Sequence, residues 1–246
     1  MAWAMAYAFK HAGIKVCVSG RSPEKVKMFA AKLDIPFLLS LEDETAPDDL
    51  VILAVKDDAL PMLNKSLRLP GRWVCHCAGS VDLSEIQNIA ERTGVFYPIQ
   101  RVSLFSVPDF SHAPICIEAA DSELLMVLKQ LGAKLSDHVL ELNSEKRRMA
   151  HLAAIFVSNF PNFMMMMGKE ILVQNQLPET LLDELARNTF DGCVPSNAEA
   201  RQTGPARRAD LKIIGNHLHL LENNPFLEQV YRLLSFEIMK RFHADL

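Results

Sequence analysis

Residues 49–55 read DLVILAV, six apolar residues in a row behind one aspartate. A strand that is apolar at every position has no solvent face, so this run belongs to a parallel sheet covered by helices on both sides. The chain on either side agrees. Upstream, Met1 to Ala12 is a helix rich in small residues that stops at Gly13, and Ile14 to Val18 alternates into a short strand. In the following SGRSPEK, Ser22 can cap and Pro23 can open a helix over Glu24 to Leu33. Downstream, Asp57 or Asp58 caps a helix to about Leu67. Trp73 to His76 is a strand, Val81 to Arg92 a helix, and Val95 to Tyr97 and Pro114 to Glu118 are further strands. Strand and helix alternating at this spacing predict an α/β, doubly wound parallel sheet.

After Asp121 the pattern changes. A helix runs to about Leu131 and one short strand lies near Lys134 to His138. From Ser144 onward only helical periodicity remains, with further helices from Pro178 to Thr189, Pro205 to Leu221 and Pro225 to Phe242. The expected division is therefore a sheet domain over residues 1–120 and an all-helical domain over 121–246. The helical part is organised around Ser144 to Glu170, a long apolar helix on which His151, Ser158 and Asn162 fall within roughly 20° of one another. Asn159 flanks this stripe, and Arg147 and Arg148 lie one turn upstream. Pro161 lacks the N–H that would bond Val157, so a kink is expected there.

With 246 residues, 49% of them apolar, the chain can bury a sizeable core. Its net charge of −4 and scattered basic residues exclude the concentrated basic footprint of a nucleic-acid binder. The opening MAWAMAYAF has no basic n-region, so no signal peptide is expected. No run approaches the roughly 18 to 20 apolar residues of a membrane helix. Five cysteines without framework spacing suit a reducing compartment, with the cytoplasm as the expected location. Cys75-His76-Cys77 is no metal motif, because on a strand the thiols point one way and the imidazole the other.

A helix, a strand and a small-residue turn carrying arginine form the middle of a dinucleotide-binding unit, whose first strand and glycine-rich turn would precede Met1. MAWAMAYAFKHAGIKVCVSGRS (1–22), VILAVKDDAL (51–60), VCHCAGSVDL (74–83), GVFYPIQ (94–100), HLAAIFVSNFPNF (151–163) and RQTGPARRAD (201–210) resemble, in that order, a bacterial family of Rossmann-like proteins with a C-terminal helical domain of unknown function. Its members are predicted NADP oxidoreductases, similar to the deazaflavin-dependent NADP oxidoreductases, pyrroline-5-carboxylate reductase, ketopantoate reductase and 6-phosphogluconate dehydrogenase. The resemblance implies a Rossmann-like sheet and a helical domain of the 6-phosphogluconate dehydrogenase C-terminal type. It also implies about ten residues before Met1, with the first strand and glycine loop, so an N-terminally shortened chain is expected.

Arg21, flanked by Ser19 and Ser22, stands where an NAD enzyme would carry an acid for the ribose 2′-hydroxyl. A cation between two hydroxyls suits a 2′-phosphate, so NADP is expected rather than NAD. Val55 and Lys56 close the buried strand at its carboxyl end and resemble the segment of pyrroline-5-carboxylate reductase beside the nicotinamide. Gly79 and Ser80 end the next strand in the same way. Gln100 lies in a segment resembling HPxQ, with Tyr97 in place of the histidine of many relatives, so the resemblance does not by itself carry an acid–base role to that position. Arg207, Asp210 and His217 form the expected substrate or anion group, near a helix start whose free N–H groups attract anions. By analogy with the related reductases, His151 is the expected general acid or base, and Asn159 and Asn162 orient substrate or carboxamide. The reading is hydride transfer to or from a small carbonyl, imine or hydroxy substrate in a cleft between the domains, by a homodimer built from the C-terminal helices. The alternatives are a non-catalytic dinucleotide-sensing or dimeric scaffold, a remnant without its cofactor loop, and, less well matched to a helical second domain, a Rossmann methyltransferase.

Overall fold

Apolar runs become strands where they find neighbours, and Leu50–Leu53 (β1) finds Trp73–His76 (β2), which pairs in turn with Arg92–Pro98 (β3), all parallel. The computed structural model describes residues 1–102, 109–193 and 197–243. The helices of its first part are Ala2–His11 (α1), Pro23–Leu33 (α2), Leu41–Glu44 (α3) and Leu60–Ser66 (α4). Beyond β3 come Ile115–Ala119 (β4), Ser122–Ala133 (α5), Val139–Glu141 (β5) and Ser144–Ala154 (α6). The sheet order is β1-β2-β3-β4-β5. The parallel expectation holds with one reversal: β4 runs antiparallel to β3, and β5 is parallel to β4.

Two apolar layers sandwich the sheet. On one face α1 and α5 bring Met5, Phe9, Leu124 and Leu128 against Cys75, Phe96 and Ile117. On the other, Leu60 of α4 joins Val51, Leu53, Val74 and Ile86. Alternation along β2 therefore sends Cys75 to the α1 side and Val74 to the α4 side.

Several boundaries differ from the sequence reading, each because a tertiary partner claims the backbone. Ile14 to Val18 forms no ladder and makes a single bridge, Val18 with Phe37, since no strand among the described residues flanks it to extend the pairing. The helix expected over Val81 to Arg92 shrinks to one 3-10 turn, Leu83–Ile86, capped by Asp82. There the Asn88 N–H goes to the Asn64 side chain and the Ile89 carbonyl accepts from Leu69, so neither continues a helix. The strand near Lys134 to His138 lies further on, at β5, because Ser136 closes the turn after α5 and bonds the Ala113 carbonyl.

The long helix is not continuous. It runs as α6, a π-helical turn over Ile155–Asn159, and Phe160–Gln174 (α7). Pro161 thus falls in the first turn of a new helix, where a missing N–H has no consequence, and the wide turn upstream absorbs the lost bond. The chain divides into two compact units, Met1–Asn159 and Phe160–Leu246. Residues 121–159, grouped by composition with the helical part, lie in the first unit because β5 pairs with β4 and α5 packs on the sheet.

The second unit holds α7, Asp183–Cys193 (α8), Leu211–Leu220 (α9) and Pro225–Phe242 (α10). Asp210 caps α9 through Ile213, and Asn224 caps α10 through Leu227. The helix expected over Pro205 to Leu221 forms as α9 only from Leu211, its first part being a 3-10 turn, Ala206–Arg208, cut off by Ala209 at φ 52. The Pro178 helix likewise begins only at Asp183.

Candidate active site

The carboxyl ends of β1, β2 and β3 converge in the first unit, where open α/β sheets place their ligands. β3 delivers Tyr97, which is 8% exposed, and α6 delivers His151, so that the phenol oxygen lies 2.9 Å from His151 Nδ1. The rings meet edge to face with centroids 5.9 Å apart. Close against both runs the backbone of Gly79, in the loop after β2. A Cβ there would sit 2.6 Å from both His151 Nδ1 and the Tyr97 Cζ, so only glycine lets the chain pass. The Ser80 hydroxyl donates to Asp57 Oδ2 at 2.5 Å, tying the β2 loop to the β1 loop.

Asp57 corrects the sequence reading. It makes no capping bond in the 3-10 turn Asp57–Ala59 and serves the neighbouring loop instead. Tyr97, which stands in place of the histidine of many relatives, is the partner of the imidazole on α6. Burial pushes its phenol pKa up, helped by Cys116 and Asp57, while Arg147 pulls it down. At neutral pH the phenol is therefore protonated. The phenol oxygen and Nδ1 share one hydrogen bond, and where the hydroxyl is its donor the imidazole proton sits on Nε2.

Beneath the loop, His76 is fully buried and its Nδ1 accepts from the Ala78 N–H at 3.1 Å. Burial, reinforced by Arg147, lowers its pKa to about 4, so it is neutral. Its folded value lies below its unfolded value near 6.5, so its contribution to stability is full above pH 6.5 and is lost as pH falls toward 4. The expected loss is about 3 kcal/mol. Urea unfolding at pH 7 and pH 4 measures it, and His76→Gln should flatten that part of the dependence.

The other expected site residues lie as follows. Lys56 and Val55 are exposed at the end of β1. Arg21 is exposed and has no ion pair among the described residues, and Ser19 is half-buried two positions before it. Ser22 occupies the cap position of α2 without making the capping bond; its hydroxyl reaches Glu24 at 3.4 Å. An exposed guanidinium beside the uncapped start of α2 is a donor set of the kind a phosphate monoester takes. Gln100 is engaged with the Asp109 carbonyl at 2.7 Å. Asn159 ends the π-helical turn and is exposed, and Asn162, in the second unit, reaches Met166 Sδ at 3.9 Å. Also in the second unit, Arg207 stacks over Phe242 at 4.2 Å, Asp210 caps α9 and His217 Nδ1 meets the Tyr231 hydroxyl at 2.8 Å. Of the residues expected from sequence, Gly79, Ser80 and His151 are gathered with Tyr97 and Asp57.

Known proteins give this arrangement a setting. Residues 113–238 match the family described as domain of unknown function DUF2520. The chain belongs to this family. Residues 1–78 match the family described as NADP oxidoreductase, coenzyme F420-dependent, in agreement with the expected oxidoreductase class and NADP cofactor. A Bacteroides fragilis protein whose name assigns it as an NADP oxidoreductase is 32% identical, with 97% of this chain and 94% of that one aligned at a TM-score of 0.87. The Rossmann-like fold is shared with pyrroline-5-carboxylate reductase of Streptococcus pyogenes (17% identity, 99% and 95% coverage, TM-score 0.63). It is shared too with an imine reductase of Myxococcus stipitatus solved with NADP+ (16%, 100% and 92%, 0.66). No curated protein matches the sequence. Among the described residues, no helix is long and apolar enough to cross a membrane.

Proposed function

We propose that this DUF2520 protein is an NADP-dependent oxidoreductase that interconverts a small imine or carbonyl with its amine or alcohol, using Tyr97 and His151 to move the proton. The observation that carries the reading is the 2.9 Å hydrogen bond between these two side chains at the carboxyl ends of the strands. NADPH, when bound, supplies the hydride. Reduction of C=N or C=O also needs one proton on the nitrogen or oxygen, and His151 Nε2–H is the donor. As that proton leaves, Nδ1 takes the phenol proton of Tyr97, so the imidazole stays neutral and the negative charge rests on the tyrosine oxygen until water reprotonates it. In the oxidative direction the same two transfers run backwards. Arg21 with Ser19 and Ser22 holds the 2′-phosphate, and the Gly79–Ser80 backbone borders the reacting end.

Titration with NADPH and NADH tests the reading first. The folded chain is expected to prefer NADPH, and Arg21→Ala to cut that preference about tenfold, the value of one charged hydrogen-bonding contact. A folded chain that binds neither nucleotide would overturn it.

The protein also works as a homodimer built from the C-terminal helices in this proposal. In residues 160–243 large apolar side chains such as Leu185 (63% exposed), Leu220 (79%), Leu233 (62%) and Phe236 (55%) face outward, more than an isolated unit keeps in water. Light scattering should give twice 27.6 kDa. Leu233→Glu combined with Phe236→Glu should halve it, and a monomeric wild-type chain would refute the assembly.

A further inference from the structure

Behind the site lies a charged cluster that proton transfer itself does not use. Arg147 of α6 is completely buried, and its guanidinium donates to the Glu118 carboxylate on β4, to the Val81 carbonyl and to Ser144 Oγ. Ser144 has no capacity left: its hydroxyl donates to Glu118 Oε2 at 2.8 Å and accepts from the Leu83 N–H at 3.1 Å as well as from Arg147. Its own N–H goes to Glu118 Oε1 at 3.0 Å.

The elements tied here are those that meet at the Tyr97–His151 bond. Glu118 pairs in register with Val95, two residues before Tyr97 on β3. Val81 and Leu83 continue the loop that begins at Gly79. Arg147 and Ser144 lie on α6, with His151 one turn beyond Arg147. Burying two charges costs nearly as much as their attraction returns, so such a pair does more for geometry than for stability.

We infer that the Glu118–Ser144–Arg147 cluster is a positioning device for the Tyr97–His151 pair. It fixes α6 against β3 and the Gly79 loop so that His151 Nδ1 faces the phenol and the imidazole keeps its proton on Nε2. The inference rests on the reading of this pair as the proton-handling group, yet its consequence is visible without any cofactor. The field at the phenol is set from four sides: Arg147 on α6 favours the phenolate, whereas Cys116 on β4, Asp57 after β1 and Cys77 after β2 oppose it.

Nitrogen-15 NMR of histidine-labelled full-length protein at pH 8 tests the inference, with thermal melting to confirm folding. Wild type should show a single Nε2–H tautomer for His151. Ser144→Ala, which leaves the ion pair, and Glu118→Gln, which keeps the shape but not the charge, should each give a mixture of tautomers. In a Tyr97→Phe background, where the phenol no longer selects a tautomer, Ser144→Ala should change nothing further. Retention of one unmixed tautomer in both folded variants overturns the inference, as does an equal effect of Ser144→Ala with and without the Tyr97 hydroxyl. Failure of the oxidoreductase reading would appear separately, as absent nucleotide binding with the tautomer result intact.

Discussion

His151→Ala is expected to lower turnover in NADPH-dependent reduction of a panel of small imines and carbonyls by about 10² to 10⁴-fold, the usual contribution of a positioned acid or base. Nucleotide affinity should stay within about twofold, because the proposed 2′-phosphate donors Ser19, Arg21 and Ser22 precede α2 and are not on α6. Tyr97→Phe removes only the second proton of the relay. Its expected loss is smaller, since His151 keeps its own Nε2 proton to give. The rank order is the informative part. If Tyr97→Phe and His151→Ala both retain wild-type turnover on an identified substrate, the hydrogen bond between them is a structural contact and the proton comes from elsewhere.

The pairing itself could not be read from sequence, although both residues could be singled out there. Tyr97 and His151 are 54 positions apart, and their meeting depends on α6 returning over β3 after β4 and β5. What could be read is local. β2 has the limits read from its apolar run, Trp73–His76, and α10 the limits read from its proline start, Pro225–Phe242. The reversal of β4 was hidden because an apolar strand reads the same in either direction. The 3-10 turn at Leu83–Ile86 was hidden because Ile86 and Ile89 satisfy helical spacing while the surrounding backbone bonds to Asn64 and Leu69. Asp57 looked like a cap for the same reason: capping residues and ligands of a neighbouring loop share one chemistry, and only the fold assigns the partner.

Gly79→Ala is expected to have an effect of similar size while adding no charge and removing no functional group. The new methyl carbon would stand 2.6 Å from His151 Nδ1, 2.8 Å from His151 Cγ and 2.6 Å from the Tyr97 Cζ, so rings or loop must shift. Neither ring has an easy retreat, because Tyr97 is built into β3 between β2 and β4 and His151 rides on a helix anchored through Arg147. The loop is held at Ala78 by His76 Nδ1, at Ser80 by Asp57 and at Val81 by Arg147. The least costly relief is separation of the two rings, which breaks their hydrogen bond. Turnover should then fall at least as far as in Tyr97→Phe, with a stability cost of about 1 to 3 kcal/mol from overpacking. Removing the imidazole frees that space, so Gly79→Ala in a His151→Ala background should recover most of the lost stability in urea unfolding. Full turnover of Gly79→Ala would mean that the loop yields more readily than its bonds imply, and the tight packing of backbone against the pair would lose its role in setting the proton relay.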